Sequence, residues 1–125
     1  MLFDTDVIIW ALRGNRKAAK CIDSEPSLAL SAVSYMELLK GSRNKDDQQL
    51  TIAFIRDMGF QTFPIGENVS HRAIVYMEEF ALSHGLDLAD ALIAATAAEH
   101  KIAICTANDK HYKTIPGLTI ARFRP

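Results

Sequence analysis

The stretch LADALIAATAAEHKIAICTAN, Leu88 to Asn108, decides the fold. Its first eleven residues are apolar almost all round, which predicts a buried helix over Leu88–Ala98. The run Ile102–Cys105 then reads as a strand, and Thr106-Ala107-Asn108 as the loop that leaves it. Working outward, the same alternation recurs. Four more apolar runs read as strands: Leu2-Phe3, Ser27–Ser31, Gln61–Ile65 and Leu118–Ile120. Helical spacing follows the first strand through Val7, Ile8, Trp10, Ala11 and Leu12, and recurs over Ala18–Ile22, Ala32–Leu39, Gln49–Met58 and Val69–Leu82. Strands alternating with helices predict an α/β fold with a mostly parallel five-stranded sheet flanked by helices. Pro64 places the third strand at an edge, because proline cannot donate to a ladder. Ligands of such sheets gather outside the carboxyl ends of the strands, so that rim is where chemistry is sought.

Length and composition limit the possibilities. The 125 residues make one domain's worth of chain, and no repeat or linker divides residues 1–125. With 49% hydrophobic and 23% charged residues, a disordered chain is excluded. Fourteen Lys and Arg against fifteen Asp and Glu give a net charge of −1, so nucleic acid is not bound by bulk charge; a local basic patch is required. No apolar run approaches the ~20 residues of a membrane span. The opening MLFDTDVIIWAL holds two aspartates and no basic region, unlike a signal peptide. Cys21 and Cys105 lack metal-ligand spacing, and an isolated pair gives no disulfide framework. A reduced cytoplasm is the expected compartment.

Four acidic groups fall where this topology puts chemistry. Asp4 directly follows the first strand; Asp6, two residues on, reads as the cap of the next helix. Glu37 lies three residues after Ser34, a capping-box spacing, and equally lies on the rim that Asp4 occupies. Asp90 opens the apolar helix. Asp87 and Asp90 have the spacing of a cap and its N3 partner, yet a second carboxylate among apolar neighbours demands a nearby cation or donors. The last group is Thr106 to Tyr112, TANDKHY, where Asn108 or Asp109 reads as a cap. Hard oxygens from several strand exits suit Mg²⁺ or Mn²⁺. Zinc suits the chain less, since His71, His84, His100 and His111 show no paired spacing.

These residues carry a family resemblance along essentially the whole chain. LFDTDVII at Leu2–Ile9, SYMELLKG at Ser34–Gly41, DALIAATA at Asp90–Ala97 and Thr106-Ala107-Asn108 followed by Tyr112 and Ile115-Pro116-Gly117-Leu118 stand in the order of the PIN-domain ribonuclease motifs. The chain resembles that family, and in size the VapC-type toxins of toxin–antitoxin pairs. The resemblance implies a three-layer PIN-like domain and a metal-dependent endoribonuclease that hydrolyses RNA to 5′-phosphate and 3′-hydroxyl ends. It implies that Asp4, Glu37 and Asp90 bind Mg²⁺ or Mn²⁺ and catalyse. Where many members have an acid three residues after the asparagine, this chain has His111, so Asp109 is carried as the fourth acid. Thr5, Thr106, Asn108, Lys110 and His111 are candidates for contact with substrate or with the carboxylates. An antitoxin and a second copy of the chain are the implied protein partners.

An acidic site repels RNA, so cations must surround it. Arg13, Arg16, Lys17 and Lys20, then Lys40, Arg43 and Lys45, then Lys110 and Lys113 are the candidates for phosphate contacts. Two other classes compete with the nuclease. Phe3-Asp4-Thr5-Asp6-Val7 superficially resembles the motif of haloacid-dehalogenase-like phosphatases, with Asp4 as nucleophile and Asp6 as acid. A non-catalytic α/β binding module would leave the placement of Asp90 unexplained.

Overall fold

The computed structural model describes residues 1–125. Its strands are β1 (Leu2–Phe3), β2 (Ala29–Ser31), β3 (Gln61–Phe63), β4 (Ile104–Thr106) and β5 (Ile120–Arg122). Its helices are α1 (Thr5–Leu12), α2 (Arg16–Asp23), α3 (Ala32–Lys40), α4 (Lys45–Asp57), α5 (Glu67–His84) and α6 (Leu88–His100). A 3₁₀ turn at Asp109–His111 follows β4. All five strands pair in parallel in the order β3-β2-β1-β4-β5, so β3 is an edge; it stops at Phe63, and Pro64, read as part of the strand, lies just past it. The chain builds outward from β1 through β2 to β3, then crosses back to lay β4 against the other side of β1. The switch point therefore lies between β1 and β4.

Alternation along the short strands divides the interior into two cores. Leu2, Ala29 and Ile104 pack with Val69, Ala73 and Tyr76 of α5 and with Ala91, Ala94 and Ala95 of α6. Phe3, Leu30 and Cys105 face the other way, onto Val7, Ile8, Ala18, Ile22, Leu38 and Ile55 from α1 to α4. Helices thus cover both faces, the arrangement a parallel sheet requires. Helix α6 has buried residues on all sides, from Ala91 through Ala97, as its composition predicts. No helix is long and apolar enough to cross a membrane.

Element boundaries depart from the sequence reading where local polar chemistry acts. Helix α4 begins at Lys45, four residues before the apolar spacing, because the Asn44 side chain accepts from Asp47 N at 2.8 Å and Asp46 and Asp47 favour the positive helix end. Strand β4 begins at Ile104 because Lys101 ends α6 in the left-handed region, φ 54°, and Ile102 N returns to Ala97 O. Strand β5 lies two residues later than read, with Ile120 opposite Ile104, while Leu118 packs against the α5–α6 core. Gly85, φ 63°, closes α5 and frees the chain to turn into α6.

Candidate active site

Asp4 leaves β1 at the switch point and is the hub of the rim. Its backbone N–H donates to Cys105 O at 2.9 Å, and its Oδ1 accepts from Thr5 N at 2.8 Å. Its Oδ2 accepts from Thr106 Oγ1 at 2.8 Å and Tyr112 Oη at 3.0 Å. Three donors around one buried carboxylate offset the cost of taking it out of water. Thr106 ends β4, so a two-residue strand and its parallel neighbour fix this acid between them.

Asp6 is not the helix cap that its position suggests. Asp4 caps α1, and Asp6 in the first turn reaches across to the β4 exit, where Oδ2 accepts from Ala107 N at 3.0 Å. Its Oδ1 is buried without a partner. Burial, and next the charge of Asp4, push its pKa up to about 6. Because the folded value lies above the unfolded one of 3.8, the charged form costs stability that is absent below pH ~4 and fully developed above pH ~6. Asp6→Asn is therefore expected to raise stability at pH 7.5 by roughly 1 kcal/mol, with solvent screening taken into account. Thermal melts at pH 7.5 and pH 4 check this: the gain should vanish at the lower pH, and a loss at pH 7.5 would contradict it.

Glu37 forms no capping box. Ser31 caps α3 by accepting from Val33 N, so Ser34 and Glu37 both lie inside the helix. The exposed Glu37 carboxylate instead accepts from Thr5 Oγ1 at 2.8 Å, which joins it to the residue beside Asp4. The rim reading of Glu37 is the one the geometry keeps.

Asp90 stands in the first turn of α6. Asp87 occupies the cap position, but its side chain makes no cap hydrogen bond. The last loop supplies the donor that Asp90 demands: His111 Nδ1 lies 3.0 Å from Oδ2, while Tyr112 Oη, whose proton goes to the nearer Asp4 Oδ2, stands 3.5 Å from Oδ1. Burial pushes the Asp90 pKa up to about 6; His111 opposes the shift, while Asp4, Asp87 and Glu37 reinforce it. Tyr112 is fully buried and bridges Asp4 and Asp90, with its phenol pushed far up by burial. In the sequence Tyr112 stands out only as an aromatic of the last motif. An aromatic ring with a hydroxyl in a loop of polar residues was the available signal.

The remaining candidates divide. Asp109 is turned to cations, with Oδ2 3.6 Å from Lys113 Nζ and Oδ1 3.8 Å from Arg122 Nε, and His111 holds the place beside Asp90. Asn108 lies in that loop, its Nδ2 3.1 Å from His111 Nε2 and its N–H donating to Thr106 Oγ1 at 3.0 Å. Lys110 is exposed beside it. Of the other basic residues, Arg43 pairs with Asp47 at 3.7 Å, while Arg13, Arg16, Lys17, Lys20, Lys40 and Lys45 are exposed.

Asp4, Glu37 and Asp90 offer only hard oxygens, and their charges reinforce one another at Asp90. That donor set fits a hard divalent cation such as Mg²⁺ or Mn²⁺. Among the acidic, histidine and cysteine side chains, no three are already closed on one point at metal-ligand distance. The phosphatase alternative needs a free Asp4 with Asp6 beside it as acid. Here Asp6 is turned to the Ala107 N–H at the β4 exit.

Comparison with known proteins identifies the family and the fold. A family model described as PIN domain matches residues 1–118. Ribonuclease VapC10 of Mycobacterium tuberculosis is 33% identical over 116 residues, covering 90% of this chain and 85% of the relative. A toxin–antitoxin complex from Klebsiella pneumoniae contains a chain 29% identical, with a TM-score of 0.79 and 94% of each chain covered. VapBC2 from Rickettsia felis, bound to a DNA fragment from its promoter, superposes with a TM-score of 0.84 over 98% of each chain at 18% identity, a likeness of fold. On the match over residues 1–118 and the identity to VapC10, the chain belongs to the PIN-domain family.

Proposed function

We propose that this protein is a metal-dependent endoribonuclease and the toxin of a toxin–antitoxin pair. The observation that carries the reading is the joining of Asp4, Glu37 and Asp90 at one rim by Thr5, Thr106, Tyr112 and His111. Kinship to a protein named a ribonuclease supports the substrate class. Asp4, Asp90 and Glu37 would hold Mg²⁺ or Mn²⁺, which when bound supplies Lewis acidity towards phosphate and water.

The chain's own residues supply the remainder. Thr106 and Tyr112 fix the Asp4 oxygens, and His111 fixes Asp90. Glu37, exposed and held only through Thr5, is the carboxylate free to orient the attacking water and accept its proton. In-line attack on the phosphorus leaves 5′-phosphate and 3′-hydroxyl ends. Lys110 and His111 in the last loop, with the exposed bases of α2 and around the α3–α4 loop, are the candidates to meet RNA phosphates. Asp109 is retained as an accessory acid that orders Lys113 and Arg122 rather than as a ligand.

Partner surfaces belong to the same proposal. The exposed Ile74 and Leu88, with Ala73, Met77 and Leu92, line a groove of about 300 Å³ between α5 and α6. That face suits a second copy of the chain. Trp10, Met36 and Leu50 are exposed on the helices of the opposite layer and suit an antitoxin helix. A cytoplasmic location, where RNA is met, goes with this reading. Adding Mn²⁺ to purified protein at pH 7.5 is expected to raise Tm by a few degrees and start RNA cleavage, both reversed by a chelator. Cleavage undiminished by the chelator would overturn the metal dependence. Intact RNA in every metal tested would overturn the nuclease reading.

A further inference from the structure

The two cysteines stand 84 residues apart in sequence, but their sulfurs are 3.7 Å apart in the fold. Cys21 is half-buried on α2, and Cys105 is buried in the centre of β4. Their contact lies in the core between α2 and the sheet, one residue before the Thr106 that holds Asp4, and the proposed hydrolysis uses neither thiol. We propose that Cys21 and Cys105 are a redox-active pair that forms a reversible disulfide between α2 and β4 on exposure to a peroxide.

The geometry orders the steps. A disulfide needs sulfurs about 2.05 Å apart, so the pair must close by roughly 1.6 Å. Helix α2 is short, amphipathic and at the surface, and it is the element able to give; β4 is held by ladders on both sides. Cys21 is the thiol a peroxide reaches. Its thiolate attacks one peroxide oxygen, the O–O bond breaks, and Cys21 sulfenic acid and hydroxide form. Cys105 then loses its proton and attacks Cys21 Sγ; the S–O bond breaks and water leaves. Overall, two thiols and one hydrogen peroxide give one disulfide and two waters. Cys105, buried in the strand behind the half-exposed Cys21, is out of a peroxide's reach and acts as the resolving thiol, not as the first target. The crosslink would tie α2 to the strand whose Cys105 carbonyl and Thr106 hydroxyl hold Asp4.

The experiment treats the reduced, folded protein with hydrogen peroxide near stoichiometry, then unfolds it and alkylates free thiols. The expected product is a monomer lighter by 2 Da with no alkylatable thiol, restored by dithiothreitol. Closing so long a loop should raise Tm by roughly 5–10 °C in the oxidised form. Cys21→Ser, a change at a half-buried site, is expected to keep its Cys105 thiol alkylatable and its Tm unmoved by the same treatment. Two thiols still free, oxygen adducts without the 2 Da loss, disulfide-linked dimers, or an oxidised form with an unchanged or lower Tm would each overturn the proposal. None of these readouts depends on nuclease activity.

Discussion

Asp90→Asn is expected to cleave RNA at least ~100-fold more slowly than the parent while melting at the same or a higher temperature without metal. The substitution keeps the shape of the side chain and removes charge from a position where Asp4, Asp87 and Glu37 all disfavour it. The Asp90 pKa is raised to about 6 from 3.8, so its ionised form costs stability that grows as pH rises from ~4 and is complete above ~6. Removing the charge at pH 7.5 relieves that cost. Loss of the 3.0 Å pair with His111 and of a first-turn acid, the latter worth roughly 0.3–1 kcal/mol, gives part of it back. The metal response reads the other half of the argument. Mn²⁺ should raise Tm in the parent and much less in Asp90→Asn. Were Asp90 only part of a helix cap, activity would survive and Tm would fall. Thermal melts and initial cleavage rates on the same preparation separate the two cases.

Asp4→Ala should give the opposite pairing, loss of activity together with loss of stability. Asp4 Oδ2 is the acceptor for two hydroxyls, on Thr106 and Tyr112, that are both fully buried. Truncation takes the nearer acceptor from both, leaving Thr106 only Asp6 Oδ2 and Tyr112 only Asp90 Oδ1, each at 3.5 Å, and removes the cap of α1. Two buried hydrogen bonds lost or stretched cost about 1 kcal/mol each, and the lost cap about 1. Relief of the repulsion felt by Asp6 offsets some of this. A net loss of about 2–3 kcal/mol, or roughly 6–12 °C in Tm, is the expected outcome. Differential scanning calorimetry without metal measures it. A variant as stable as the parent would mean that Asp4 is not the structural hub described above.

The contrast between these two acids shows what the sequence carried and what it did not. Periodicity revealed the strands and helices because each buries one face or two; Pro64 pointed to the edge strand, although it lies just past β3 and forbids no partner within it. Asp4 after the first strand, Glu37 after the second and Asp90 at an apolar helix start could be singled out as candidates from the sequence. Their partners could not. Tyr112 lies 108 residues from Asp4, and Cys21 lies 84 from Cys105; such meetings follow from the crossover that lays β4 beside β1, which no local window contains. Asp6 was misread for a related reason. A helix-start acid two residues after a strand looks like a cap until the neighbouring strand's exit presents the Ala107 N–H as a better donor. Asp109 was carried as a fourth acid, but a 3₁₀ turn at Asp109–His111 separates the two side chains, sending Asp109 to Lys113 and Arg122 and His111 to Asp90.

The central claim is that carboxylates at this rim, with a divalent cation, direct water and not the RNA's own 2′-hydroxyl at the phosphorus. The chemistry of the product ends tests it most directly. Purified protein would be incubated with an end-labelled RNA in Mn²⁺, and the termini identified by mass spectrometry and by their response to phosphatase and ligase. The account predicts 5′-phosphate and 3′-hydroxyl ends that appear only with metal and disappear in Asp90→Asn. Products ending in 2′,3′-cyclic phosphate, formed equally in a chelator, would contradict it.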